Sequence, residues 1–294
     1  MFRSGFVAVV GKPNVGKSTL INALIGKKVS IVSPKAQTTR NKIIGILNTE
    51  NEQVVFLDTP GIHKIKNNLD KYMQNAINSA TEDVDLLIYV IDGGKPIQED
   101  DLKLLKKYCG QNYPVFVVVN KVDLGSYESI YPELAKLNEV EGIDQIFGVS
   151  ALKGKNLEDL KQEIFKKLTD NIKYFPDEQI SDKPLSFMIA ELIREKMLWL
   201  LDEEVPHGVG VVVEKIEEND KKLTISAIIY CERASHKNII VGSKGAVIKE
   251  IGTQSRLAME KMLDKKVFLD LFVKVKENWR NKLNLSEFGY SDEN

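Results

Sequence analysis

The sequence predicts an α/β domain with a mostly parallel six-stranded sheet flanked by helices, followed by a smaller α+β domain. Three observations carry that prediction. Six short apolar runs alternate with helical segments in the first half of the chain: Phe6–Val10, Ile43–Leu47, Val54–Leu57, Leu86–Ile91, Val115–Val119 and Ile146–Val149. Most are continuous rather than alternating, the pattern of strands covered by helices on both faces. The pattern then breaks after Leu168, and a different order of elements starts at Leu185.

The length of 294 residues is enough for two domains that each bury a core. Fractions of 43% hydrophobic and 28% charged residues are ordinary for a globular chain. A net charge of −1 means that any nucleic-acid surface must be local. The two cysteines, Cys109 and Cys231, lie far apart outside any C-x-x-C pattern, so they read as reduced thiols in a reducing compartment. The N-terminus lacks a signal-peptide pattern, and no apolar run approaches the ~20 residues of a membrane span. A cytoplasmic location is expected, and peripheral contact with the inner face of the cell membrane is compatible with it.

The first strand runs into Gly11-Lys12-Pro13-Asn14-Val15-Gly16-Lys17-Ser18, which fits G-x-x-x-x-G-K-S, and a helical start follows from Thr19. Gly11 and Gly16 let the backbone turn its N–H groups toward phosphates, and the helix adds the positive end of its dipole. Lys17 can reach the β/γ-phosphates, and the Ser18 hydroxyl can ligate Mg²⁺.

The next runs, Ile43–Leu47 and Val54–Leu57, are joined by a hairpin-length polar loop, so one strand should be antiparallel. Asp58-Thr59-Pro60-Gly61 closes the second of them: an Asp there can hold Mg²⁺, and the Gly61 N–H can approach a γ-phosphate. Between Ser18 and Asp58 a Mg²⁺-ligating threonine is expected. Gln37-Thr38-Thr39-Arg40 offers two, with Thr39 preferred. Arg40 reads as a solvated loop arginine, with a charge supplied in cis to the phosphates as the alternative, and His63 is the histidine nearest the expected γ-phosphate.

Asn120-Lys121-Val122-Asp123 follows Val115–Val119. The Asp123 carboxylate can accept from N1–H and the 2-amino group of guanine, and adenine offers neither donor; such a site rejects the wrong base by perhaps 10⁴-fold. The Lys121 stem can cover the base, and Asn120 can tie this loop to Gly11–Ser18. Ser150-Ala151-Leu152 ends the last strand, where the Ala151 N–H can approach guanine O6.

These elements, in this order over roughly residues 1 to 170, resemble the translation-factor-like branch of P-loop GTPases. Within it the three motifs at Gly11–Ser18, Ala36–Arg40 and Asp58–Gly61 look like those of the GTPases of small-ribosomal-subunit assembly. The resemblance implies GTP/GDP and Mg²⁺ as ligands and a nucleotide set of Gly11, Asn14, Val15, Gly16, Lys17, Ser18, Thr19, Asn120, Lys121, Asp123, Ser150, Ala151 and Leu152. It implies Ser18, Thr39 and Asp58 as metal ligands and Lys17, Thr39 and Gly61 as catalytic residues. Ile62 stands where a water-orienting Gln would sit, which implies a hydrophobic-substituted GTPase. Asn14 matches the position that helps hold K⁺ in potassium-stimulated relatives.

Residues 172–184, with Pro176 and Pro184, read as a linker between a domain at 1–171 and a second at 185–282, with a tail at 283–294. Leu185 to Leu201 form an amphipathic helix, and strand-like runs Val209–Ile216 and Leu223–Tyr230 follow. Gly242-Ser243-Lys244-Gly245 then lies between two helical segments, before a last strand containing Val267, Leu269, Leu271, Val273 and Val275. This order with a G-x-x-G loop resembles a type II KH domain, whose loop clamps single-stranded RNA. The resemblance implies Arg233, Gly242, Ser243, Lys244, Gly245 and Lys249 as RNA contacts. From Arg233 to Lys282 there are twelve Lys/Arg against five Asp/Glu, a local basic footprint. Trp279 is open to two readings, stacking on a base or packing in its own domain.

The whole reads as a GTP-hydrolysing switch that binds the 3′ end of small-subunit ribosomal RNA and the 30S subunit, with no DNA expected. The alternatives are an RNA-binding module with a bound but uncycled nucleotide, and a tRNA-modification GTPase, which the KH-like half and the missing cysteine terminus disfavour.

Overall fold

In the computed structural model the described residues are 2–125, 127–219, 222–282, 285–288 and 290, with backbone alone for 127–131. Contacts divide the chain into two units. The first comprises residues 1–32, 39–64 and 73–182; the second comprises 33–38, 65–72 and 183–294.

The first unit is built on strands β1 (Arg3–Val10), β2 (Ile43–Asn48), β3 (Glu52–Asp58), β4 (Leu86–Asp92), β5 (Val115–Asn120) and β6 (Gln145–Gly148). Their order is β2-β3-β1-β4-β5-β6, with β2–β3 antiparallel and the other pairs parallel. Helices α1 (Lys17–Ile25), α2 (Asn68–Ala80), α3 (Glu99–Cys109), α4 (Tyr127–Asn138) and α5 (Leu157–Lys167) make the connections. One core joins Leu20, Ile21 and Leu24 of α1 and Leu160 and Ile164 of α5 to Val7, Val9, Phe56, Ile88 and Val118. The opposite core joins Ile77, Leu105, Tyr108 and Leu137 to Leu87, Tyr89, Val117 and Val119. Burial on both faces is why the strand runs are continuously apolar.

The stretch read as a linker is not a free spacer through Asp182, because it is strapped along the β2–β3 edge of the first sheet. Ile46 N–H donates to Ile180 O at 3.0 Å, and Gly45 pairs with Ser181 in an antiparallel bridge. The fully buried Gln53 side chain accepts from Tyr174 and Phe175 N–H at 2.8 and 3.0 Å and donates to Phe175 O at 2.8 Å. An isolated Gln in a strand gives no hint of this in sequence.

The second unit contains α6 (Leu185–Leu200), β7 (Val209–Glu218), β8 (Leu223–Cys231), α7 (Ala234–Val241), α8 (Ala246–Leu263) and β9 (Val267–Val275). Its sheet order is β7-β8-β9, with β7–β8 antiparallel and β8–β9 parallel. Ile189, Ile193 and Met197 of α6, Ile240 of α7 and Ile251 and Met259 of α8 pack on Val209, Ile225, Ala227, Ile229 and Val267. Trp279 is fully buried, donates from Nε1 to Gly208 O at 3.0 Å and stacks on Tyr290. The base-stacking reading of Trp279 is therefore set aside: its one polar atom is satisfied inside the domain. The hairpin residues Asp220 and Lys221, and most of the 283–294 tail, lie outside the described residues.

The second unit also takes in Ser33–Thr38 and Ile65–Tyr72, which the simple division at 171 and 185 does not anticipate. Arg194, buried on α6, is paired with Glu191 at 2.6 Å and donates to the carbonyls of Gln37 and Thr38. Asp70 accepts from Gln37 Nε2 at 3.1 Å, closing the two short segments on each other.

The strap makes one prediction. Gln53→Ala leaves three part-buried backbone groups at Tyr174 and Phe175 without this partner and should lower stability by about 1–3 kcal/mol. A urea midpoint equal to that of the parent would show that the strap contributes nothing.

Candidate functional site

Three loops at the carboxyl ends of β1, β3 and β5, with the turn after β6, form the candidate site. The β1–α1 loop turns through left-handed backbone at Asn14 (φ 64°) and Gly16 (φ 97°), a conformation that favours Gly and tolerates Asn. A Cβ at Gly16 would run into the Asn120 amide, and one at Gly11 would come within 2.5 Å of Val90 O. Lys17, Ser18 and Thr19 are the first turn of α1, where Leu20 N–H donates to Gly16 O. This places the open N–H groups of the helix start inside the loop.

Lys17 is buried, and its ammonium donates to Gly11 O at 3.2 Å and Lys12 O at 3.1 Å. Desolvation pulls its pKa down to about 8, against the opposing charge of Asp58. Asp58 has no exposed surface, and neither of its carboxylate oxygens completes a hydrogen bond with a described residue. Burial pushes its pKa up, opposed by the neighbouring hydroxyls of Ser18 and Ser30, the Lys17 charge and the Thr39 hydroxyl. Ser18 Oγ lies 2.8 Å from Thr39 Oγ1, whereas Thr38 is spent on Lys35 O and Ser33 Oγ. An unsatisfied buried carboxylate beside two hydroxyls is a hard-oxygen donor set that suits Mg²⁺.

Gly61 fits against the first loop so closely that a Cβ would come within 2.7 Å of Pro13 N, and Ile62 N–H donates to Gly11 O at 3.1 Å. Ile62 packs partly into the second core of the first unit. His63 Nδ1 donates to Gly61 O at 2.7 Å, which turns the ring toward its own loop. Arg40 is fully buried, contrary to the expectation of a solvated arginine. Nothing in the spacing of Gln37–Arg40 separates a buried from an exposed guanidinium.

At the other end of the site Asn120 binds two loops with one amide. Its Nδ2 donates to Val15 O at 3.0 Å, and its Oδ1 accepts from Ala151 N–H at 3.0 Å. The tie from Asn120 to the β1 loop is the one the sequence led us to expect, whereas the Ala151 N–H, expected to face a guanine oxygen, is engaged by Asn120, a link to the β6 turn that the sequence did not announce. Lys121 stands in left-handed backbone (φ 66°) and reaches Asn14 O at 2.5 Å and Asp92 at 2.8 Å. Beside it the exposed Asp123 carboxylate is held below the usual carboxylate range by the Ser150 hydroxyl, with Lys153 and Lys121 assisting. Ionised at neutral pH, it is an acceptor for two N–H donors. Leu152, in the turn after β6, is 77% exposed.

In the second unit the G-x-x-G loop has Gly242, Lys244 and Gly245 at φ 73°, 50° and 78°. A Cβ at Gly242 would clash with Val247, while one at Gly245 would meet nothing within 4 Å. The loop is therefore open at Gly245, with Ser243 and Lys244 exposed beside it, Arg233 exposed just before α7 and Lys249 exposed on α8. Sequence reasoning missed the groove that continues from it, lined by Ile248, Lys249, Gly252, Thr253 and Arg256 of α8 and Phe268, Leu269 and Leu271 of β9. Ile248, Gly252 and Arg256 recur at i, i+4, i+8, which was the available signal. His236 sits in the first turn of α7 with Nδ1 buried and without a partner among described residues.

Comparison with known proteins agrees with both halves. Residues 6–121 match a family described as 50S ribosome-binding GTPase, and residues 204–280 match the KH domain. The chain is 48% identical to GTPase Era of Clostridioides difficile (strain 630), with 99% of this chain and 100% of that protein covered. It is 41% identical to GTPase Era of Staphylococcus haemolyticus (strain JCSC1435) over 99% of this chain and 98% of that one. A crystal structure of Era with MgGDPNP and nucleotides 1506–1542 of 16S ribosomal RNA matches at TM-score 0.95 and 39% identity, covering 99% and 100% of the two chains. A variant of Aquifex aeolicus Era bound to GDP·AlF4⁻ matches at TM-score 0.95 and 38% identity, with the same coverage. With a nucleotide-type pocket on one unit, a G-x-x-G domain on the other, and full-length identity to these relatives, the chain belongs to the Era family of GTPases.

Proposed function

We propose that this protein is a cytoplasmic GTPase switch that binds the 3′ end of small-subunit ribosomal RNA through its KH domain and acts in small-subunit assembly. The observation that carries the nucleotide half is the buried, unsatisfied Asp58 carboxylate beside Ser18, Thr39 and Lys17. The RNA half rests on the open G-x-x-G loop and on the solved Era complex, which holds 16S RNA. The match whose description refers to the 50S subunit covers only part of the nucleotide half, so the RNA-bound, full-length relative carries more weight.

Ser18, Thr39 and Asp58 would hold Mg²⁺, which when bound neutralises charge on the β/γ-phosphate oxygens. Gly11, Asn14, Val15 and Gly16 wrap the phosphates with backbone N–H groups. Lys17 leaves the carbonyls of Gly11 and Lys12 for phosphate oxygens, exchanging two neutral acceptors for anionic ones. Thr19 continues the helix start. Gly61 offers its N–H to the γ-phosphate. At the base, Asp123 accepts from guanine, Lys121 and Leu152 cover the ring, and Asn120 with Ser150 and Ala151 fixes the loops. Ile62 carries no polar group for the attacking water, so intrinsic hydrolysis is slow. A K⁺ ion near Asn14 is carried over from potassium-stimulated relatives and would add a second positive charge at the phosphates.

In the KH domain the basic side chains Arg233, Lys244 and Lys249 meet phosphates, while Gly242, Ser243 and Gly245 let the sugar–phosphate chain approach the backbone. The groove between α8 and β9 takes the bases. β9, which lines that groove, is an edge strand of its sheet. The segments that continue the loops of Thr39 and Gly61 belong to the KH-containing unit, which supports a nucleotide-dependent RNA affinity.

Three measurements test this. Asp123→Asn should lower GTP affinity by at least about 100-fold and admit xanthosine nucleotides, whose 2-oxo group accepts from the amide; unchanged base preference would refute the assignment. Gly245→Asp should cut affinity for the 3′-terminal RNA by about tenfold or more and leave GTP turnover intact, since the side chain enters open space where phosphate would lie. Hydrolysis should be faster in K⁺ than in Na⁺, and equal rates would remove the monovalent-cation role.

A further inference from the structure

Ser30 is placed where a serine is costly. It lies in the segment after α1, between the buried apolar residues Val29 and Ile31, and is itself 1% exposed. Its hydroxyl completes no hydrogen bond with a described residue. A buried hydroxyl without a partner is destabilising. Alanine would remove that cost and keep the chain path.

The backbone at Ser30 is nevertheless fixed with unusual care. Asn22, one helical turn beyond Ser18 on α1, accepts from Val29 N–H at 2.8 Å and Ser30 N–H at 3.0 Å. Its amide donates to Ser30 O at 2.8 Å. One side chain thereby locks this segment to the helix whose first turn carries Lys17 and Ser18. The group beside the Ser30 hydroxyl is the Asp58 carboxylate. The Asp58 oxygens are equally buried and equally without a completed bond. A hydroxyl and a carboxylate, each unsatisfied and each held by rigid elements, are complementary donor and acceptor.

We propose that Ser30 is a positioning residue for the cation site: its Oγ–H donates to the Asp58 carboxylate and fixes the face that this carboxylate presents to Mg²⁺ and its water, with Asn22 holding Ser30 in place. This rests on the reading of Ser18, Thr39 and Asp58 as the Mg²⁺ donor set. Hydrogen-bonding partners behind a metal ligand typically change metal affinity by about 10–100-fold when removed.

The test follows release of a fluorescently labelled GDP from the full-length protein as free Mg²⁺ is varied, with excess EDTA as the zero point. Ser30→Ala should raise the Mg²⁺ concentration for half-maximal retention by about tenfold and leave the release rate in EDTA unchanged. Ser30→Thr, which keeps the hydroxyl, should return the curve toward that of the parent. Asn22→Ala should shift the Mg²⁺ dependence in the same direction as Ser30→Ala. Superimposable curves for the parent and Ser30→Ala would overturn the proposal. So would faster release by the same factor with and without Mg²⁺, the mark of a purely structural role. If the parent itself shows no Mg²⁺ dependence, the cation reading fails first, and the two failures are thereby distinguished.

Discussion

A carboxylate and an ammonium buried together at the end of a parallel sheet are the constraint on which this molecule depends. Asp58 and Lys17 are both removed from water, and each is pushed by desolvation toward its neutral form. A buried pair of this kind costs more than its mutual attraction returns unless further groups complete it. Lys17 finds only backbone carbonyls, and Asp58 completes no bond among the described residues. The strands behind them compensate: β1 and β3 are almost wholly buried, and their side chains feed cores on both faces of the sheet. Stability supplied by the sheet holds open a polar pocket that a charged ligand would complete.

The loops around that pocket are rigid because they hold one another. Asn120 joins the β1 loop to the β6 turn, Lys121 reaches Asn14 and Asp92, and Gly61 lies against Pro13. Each link runs between loops that leave different strands, so the sheet order fixes their spacing. Positive φ at Asn14, Gly16 and Lys121 turns the backbone between these contacts, and at Gly16 a side chain would obstruct the Asn120 amide.

Phosphate chemistry is met twice in this chain, in two different ways. In the nucleotide unit, glycines clear space that other protein groups occupy: a Cβ at Gly11, Gly16 or Gly61 would strike backbone or an amide. In the KH domain, Gly245 faces open space, so the clearance there serves a ligand rather than the protein. The charge follows the same division. The chain as a whole carries −1, while the stretch from Arg233 to Lys282 is strongly basic, which concentrates attraction for a polyanion on one domain.

The sequence by itself determined the strands, their mostly parallel arrangement, the five nucleotide-type motifs and the G-x-x-G loop. These are local: a run buried on both faces is apolar throughout, and a turn that must approach phosphate needs glycine wherever it occurs. Tertiary structure decided which distant polar groups meet. Gln53 holding residues 174 and 175, Arg194 holding Gln37 and Thr38, Asn120 engaging Ala151, and the burial of Arg40 and Trp279 all join or enclose residues with no mark in their own neighbourhood. A hydrogen bond between residues more than a hundred positions apart depends on where the backbone brings them. The periodicity of side chains records which face of an element is buried and carries no record of the partner waiting there.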